Sequence, residues 1–193
     1  MNDNQILDLF RKSGALLSGH FELSSGLHSD QYFQCALVLQ YPNYCDLLAK
    51  ELREKLSDLP KPNLVIGPAL GGVTLAYELA RALGVPGIFA ERKEEKMLLR
   101  RGFKVDKGSK VIVVEDVVTT GGSVKEVVDL VQREGANVIA VGSIVNRSEK
   151  PVDFGVPYRF LMKMTATTYE PSNCPLCRDG VSFSKPGSKV ATR

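Results

Sequence analysis

No apolar run in the 193 residues is long enough to cross a bilayer, and the opening residues, Met1 to Gln5, are too polar for a signal peptide. A cytoplasmic protein with no membrane partner is therefore expected. The chain has 4 cysteines, and a chain of this size needs no disulfide framework. Excess charge of one sign is also scarce. The formal net charge of +3 is too mild for a general nucleic-acid binder. No G-x-x-x-x-G-K-[ST] run occurs, which excludes a P-loop. No G-x-G-x-x-G follows a strand, which leaves a dinucleotide fold unsupported. Internal repeats, low-complexity segments and a helix-turn-helix signal are absent as well. What is present is the composition of an ordinary soluble globule, 44% hydrophobic and 24% charged. That is enough for one domain with a sizeable core.

Apolar spacing divides the chain. Ile6, Leu7, Leu9 and Phe10 mark an amphipathic helix ending near Gly14. Residues 19–23 and 31–34 read as short strands around a turn at 24–29. Residues 43–56 form a helix with Tyr44, Leu47, Leu48, Leu52 and Leu56 on one face. After Pro60 and Pro62 the pattern alternates. Strand 64–66, loop 67–72 and helix 73–83 are followed by strand 87–90 and a basic loop, 93–108, with room for a hairpin. Strand 111–114, helix 124–133, strand 138–145 and an edge strand at 158–162 complete the series. Strands separated by helices imply an α/β fold with a parallel sheet and right-handed crossovers. Ligands in such sheets bind at the carboxyl ends of the strands. A single domain is expected, with residues 1–40 as a small N-terminal hood, 60–165 as the core sheet and 170–193 as a C-terminal tail. The end of that tail, with Pro186, Gly187 and Ser188, is expected to be ordered only if it docks.

The most informative run is Val-Ile-Val-Val-Glu-Asp-Val-Val-Thr-Thr-Gly-Gly-Ser, residues 111–123. A β-branched strand delivers two carboxylates, Glu115 and Asp116, to its C-terminal end. Thr119, Thr120, Gly121, Gly122 and Ser123 then lead into a helix. Backbone N–H groups of the loop and the helix N-terminus offer a phosphate both donors and partial positive charge. The glycines allow close backbone approach, and the hydroxyls add donors. Carboxylates beside a phosphate make sense if they grip ribose hydroxyls or a bridging metal. A second signal is the stretch 92–110, which holds eight Lys/Arg against three Asp/Glu. A basic segment on a nearly neutral chain points to a polyanionic ligand.

The 111–123 run resembles the signature of the type I phosphoribosyltransferases, which bind 5-phosphoribosyl 1-diphosphate (PRPP). Other segments resemble the orotate-specific branch of that family. Phe21 to Gly26, then Ser29, Tyr32 and Phe33, is similar to its hood. Gly67, Pro68, Ala69, Gly71 and Gly72 are similar to its pyrophosphate loop. Glu91 to Lys96 is similar to the start of its mobile catalytic loop, and Asn146-Arg147 to its orotate-binding arginine. The resemblance implies a type I phosphoribosyltransferase-like parallel sheet flanked by helices, under a small hood. It also implies a pentosyltransferase that joins orotate to PRPP, giving orotidine 5′-monophosphate and pyrophosphate, in pyrimidine synthesis. It assigns PRPP to Glu115, Asp116, Val117, Val118, Thr119, Thr120, Gly121, Gly122 and Ser123, with Arg92, Lys93 and Lys96. Orotate falls to Thr119 and Arg147, and catalysis to Lys96, Lys93, Arg92 and Asp116. Mg²⁺ is the implied cofactor, carried by PRPP and touched by Asp116. A homodimer with shared active sites is implied, Lys93 and Lys96 reaching the neighbouring subunit.

The chain departs from the family at Ser24 and Gly71, where a lysine is usual, and at Leu98, where well-studied members have a histidine. Two alternatives stay open at this point: a purine phosphoribosyltransferase, and a non-catalytic regulator that senses PRPP. The bland reading of Arg147 is a surface salt bridge to Glu149. Cys174-Pro175-Leu176-Cys177 has the spacing of half a zinc site, but a full site needs two more ligands. Cys35 and Cys45 are distant in sequence, and His20 and His28 belong to the hood. The cysteines are therefore expected to be a structural or redox-silent pair, and the histidines loop or packing residues.

Overall fold

The computed structural model describes residues 1–23, 25–164 and 167–185. Helix α1 (Asp3–Lys12) starts at a reciprocal cap, in which the Gln5 amide donates to the Asn2 side chain and the Asn2 amide to the Gln5 side chain. It buries Ile6, Leu9 and Phe10. The chain then forms β1 (Leu16–Glu22) and β2 (His28–Phe33), a short helix α2 (Cys35–Leu39) and α3 (Pro42–Lys55). In α3, Cys45, Leu48, Ala49 and Leu52 repeat at helical spacing and are buried.

The alternating half follows as β3 (Leu64–Pro68), α4 (Gly71–Leu83), β4 (Gly87–Lys93), β5 (Lys96–Leu99), β6 (Lys110–Val118), α5 (Gly122–Arg133), β7 (Asn137–Asn146) and β8 (Tyr158–Lys163). These strands make a six-stranded sheet in the order β5-β4-β3-β6-β7-β8. All its pairings are parallel except β4 with β5. Successive strand residues face opposite sides, so each side has its own core. Val65, Ile112 and Val114 pack with α3 and α4, while Ile66, Val111 and Val113 pack under Val124, Val127 and Val131 of α5. Helix α4 ends at Gly84 in a left-handed conformation, φ 69°, that glycine adopts at little cost.

The basic loop is in part a hairpin: β4 and β5 pair from Ala90 with Leu99 to Lys93 with Lys96, with Glu94 and Glu95 in its turn. Buried Met97 anchors it to the core below α5. The C-terminal segment is not a separate appendage. It gives β9 (Thr168–Tyr169) to a three-stranded hood sheet, β1-β2-β9, then runs through α6 (Pro175–Arg178) and docks Ser184 against Phe21. Residues 186–193 and Ser24 lie outside the described residues.

Candidate active site

Strand β6 runs past the expected strand end and carries Glu115 and Asp116 in its last turn of pleat. The backbone holds both side chains. Glu115 Oε1 accepts from the Asp116 amide at 3.2 Å, and Asp116 Oδ1 from the Val117 amide at 2.8 Å. Burial, and secondarily the charge of Asp116, push the Glu115 carboxyl up to about 9. Burial raises Asp116 as well. Two carboxylates this close cannot both ionise cheaply, so the pair retains a proton at neutral pH. A diffusible cation or a hydroxyl-rich ligand would relieve that strain.

The loop after β6 completes one half of the site. Gly121 takes φ 78° and caps α5, and a Cβ there would lie 2.7 Å from Val152 Cγ1. Thr119, Thr120, Gly122 and Ser123 are exposed, and together with Glu115, Val117 and Val118 they line a pocket of about 70 Å³. Its lining is backbone and hydroxyl at a helix N-terminus, which suits a phosphate. On the other side of the pair a cleft of about 430 Å³ runs from Asp116 past Gly71 and Thr74 to Gln34 and Gln40. Gly71 keeps this space open. A Cβ on it would stand 2.7 Å from Asp116 Oδ1 and 3.1 Å from Glu115 Oε1. Hard carboxylate oxygens converging on a space that no side chain fills fit a Mg²⁺ ion.

Arg147 enters from β7. Its amide donates to Val118 O at 2.8 Å, and Asn146 Oδ1 accepts from the Ser148 amide and hydroxyl, which fixes the turn. The guanidinium is half-buried, and burial lowers its pKa from the ordinary arginine value. Burial also pushes the Cys35 thiol up, with the charges of Asp116 and Glu115 adding to the shift. Arg147 forms no ion pair among the described residues, so the salt bridge to Glu149 is not found.

Arg92, Lys93 and Lys96 stand apart from this constellation. Arg92 pairs with Glu126 of α5 at 2.8 Å, Lys93 lies 4.0 Å from Glu94, and Lys96 is exposed. None of the three lines either pocket. Arg101 is held by two bonds to Glu91, at 2.9 and 2.8 Å. Sequence reasoning missed α2, whose start supplies Gln34 and Ala36 to the cleft; its apolar run Cys35 to Leu39 was the available signal. It also kept His20 and His28 apart from Cys174 and Cys177, whereas the structure brings the four together.

An acidic pair on the central parallel strand, followed by a Thr/Gly loop at a helix N-terminus, defines a phosphoribosyltransferase site. The family model described as the phosphoribosyl transferase domain matches residues 38–159. An orotate phosphoribosyltransferase of Carboxydothermus hydrogenoformans is 59% identical over 94% of this chain and 95% of its own. One from Caldanaerobacter subterraneus subsp. tengcongensis is 52% identical over 98% and 99%. The crystal structure of orotate phosphoribosyltransferase from Aeropyrum pernix superposes with a TM-score of 0.64 at 26% identity, covering 93% of this chain and 91% of that one. The chain belongs to the orotate phosphoribosyltransferase family.

Proposed function

We propose that the two pockets and Arg147 divide the orotate phosphoribosyltransferase reaction among themselves. The 5-phosphate of PRPP sits on Thr119, Thr120, Gly121, Gly122 and Ser123. Glu115 and Asp116 accept from the ribose hydroxyls. The diphosphate extends toward Gly71, and Asp116 would hold the Mg²⁺ that PRPP brings. The metal, when bound, supplies charge neutralisation to the leaving pyrophosphate. Arg147 presents its fork to the orotate carboxylate or the adjoining ring edge, and Thr119 adds a hydrogen bond. As the anomeric C–N bond forms and the C–O bond breaks, negative charge grows on pyrophosphate, where fixed cations stabilise the transition state.

Those cations are Arg92, Lys93 and Lys96, the two lysines reaching in from a neighbouring copy in a homodimer. Two observations support this: the three residues lie outside their own chain's pockets, and Tyr77 is 67% exposed on α4 with Tyr41 and Leu47 exposed at α3. The observation that carries orotate specificity is Arg147, half-buried and without a carboxylate partner among the described residues. Spectrophotometry tests the reading. Orotate should be consumed only with PRPP and a divalent cation present. Turnover of adenine, guanine or hypoxanthine with orotate inert would refute it.

A further inference from the structure

We propose that His20, His28, Cys174 and Cys177 form a structural zinc site that clamps the C-terminal segment onto the hood. Their ligand atoms all lie within 4.8 Å of one another. His20 Nε2 is 2.8 Å from His28 Nδ1, 3.5 Å from Cys174 Sγ and 3.8 Å from Cys177 Sγ, and Cys177 Sγ is 3.2 Å from His28 Nδ1. A tetrahedral zinc ion with its usual bond lengths sets neighbouring ligands about 3.3 Å apart for two nitrogens and about 3.6 Å for nitrogen and sulfur. The nitrogen–sulfur spacings, 3.2 to 3.8 Å, bracket their edge, and the two nitrogens, at 2.8 Å, would move apart by about half an ångström to take the ion.

The chain builds this arrangement from two directions. Glu22 is the cross-strand partner of His28, and an irregularity of β1 between Ser18 and Phe21 brings the His20 ring against that of His28. Both rings are buried, each 4% exposed. From the other side, Cys174 caps α6 and Pro175 opens it, so one helical turn carries Cys177 back beside Cys174. Both thiols are free.

Each ring nitrogen facing this cluster has a hydrogen-bond partner, but the neighbours are unevenly shared. His20 Nδ1 lies 2.6 Å from Val181 O. A carbonyl only accepts, so Nδ1 carries the ring proton and Nε2 holds a lone pair. Three groups crowd that single lone pair: His28 Nδ1 and both sulfurs. One cation at their centre uses it, together with a second imidazole lone pair and two thiolates. The Val181 carbonyl is then the outer partner that fixes a metal-binding histidine's tautomer. Two sulfurs and two nitrogens select zinc over magnesium. Four protein ligands leave no open position, which marks the site as structural rather than catalytic. Binding releases two thiol protons.

The segment has little else to hold it. Val181 and Phe183 are 45% and 46% exposed. Apart from Cys174, its ties to the hood among the described residues are the two-residue pairing of β9 with β2, the Ser29 hydroxyl donating to Thr167 O, the His20 ring on Val181 O, the backbone bonds between Ser184 and β1, the pairing of Lys185 with Glu22, and the contacts of Phe183 with the two rings. A metal bond at each end converts this loose contact into a fixed one.

Untagged protein purified under reductant and without chelator should contain one zinc per chain by elemental analysis. Metal-free protein, its fold checked by circular dichroism, should take up one Co²⁺ with tetrahedral visible bands and a thiolate-to-cobalt charge-transfer band. Cys177→Ser, at an exposed position, should lose most of that band, while Cys45→Ala keeps it. Metal removal should speed proteolytic cleavage between residues 171 and 185. The proposal is overturned by any of four results: no tetrahedral cobalt spectrum from the folded metal-free protein, iron as the stoichiometric metal, a charge-transfer band that survives Cys177→Ser, or cleavage indifferent to the metal.

Discussion

PRPP binding should expel a proton from the acidic pair. Burial and the Asp116 charge hold the Glu115 carboxyl at about 9, whereas ribose hydroxyls and a divalent cation favour its ionised form. At pH 7 the group lies about two units below its pKa, so ionising it costs about 3 kcal/mol at about 1.4 kcal/mol per unit. That free energy is withheld from binding at pH 7 and recovered near pH 9. The apparent affinity for PRPP with Mg²⁺ should therefore rise about tenfold per pH unit above pH 7 and level off near pH 9. The second ionisation of the phosphate, at about pH 6, falls below this window. Calorimetry near pH 7.5 in two buffers of different ionisation enthalpy should report close to one proton released per site. Stability of the ligand-free protein should move the opposite way. The folded chain holds a proton that the unfolded chain loses near the ordinary value of 4.5, so this pair's contribution falls as pH rises from there through about 9. Asp116→Asn removes the neighbouring charge and should flatten part of that slope. An affinity constant between pH 7 and 9, with no proton released, would refute the placement of an ionised pair against the ribose.

Arg147→Ala should raise the orotate KM and lower kcat/KM more than tenfold, since a buried charged partner is worth about 2–5 kcal/mol, with PRPP binding nearly intact; an unchanged orotate KM would count against the assigned role. Gly71→Ala puts a methyl 2.7 Å from Asp116 Oδ1. Moving that oxygen breaks its bond from the Val117 amide, about 1–3 kcal/mol, so PRPP affinity should drop by roughly five- to a hundredfold with the fold retained, as read by calorimetry and thermal melting. Lys96→Ala should depress kcat far more than PRPP affinity, because the charge it meets grows in the transition state. Mixing Lys96→Ala with Asp116→Asn protomers should restore part of the activity, one site of each mixed dimer carrying neither defect. Confirmed subunit exchange without recovery would place the loop in its own subunit's site.

The local sequence determined the α/β alternation, because strand and helix periods are written in neighbouring residues. It determined the acidic-pair loop for the same reason: Glu115 to Ser123 are contiguous, and a strand, a turn and a helix N-terminus need only each other to form. Arg147 was legible through its place after a buried strand and its resemblance to a family motif. Tertiary structure decided whatever depended on distant segments meeting. The close approach of Gly71 to Asp116 exists only because β3 and β6 are neighbours and bring the loop against it. The C-terminal segment, polar and short of apolar anchors, gave no sign that it would pair with the hood. His20 and His28 meet two cysteines 146 to 157 positions away. Each half of that cluster reads as ordinary on its own, since ligand geometry is a property of four atoms in space and no window along the chain contains them.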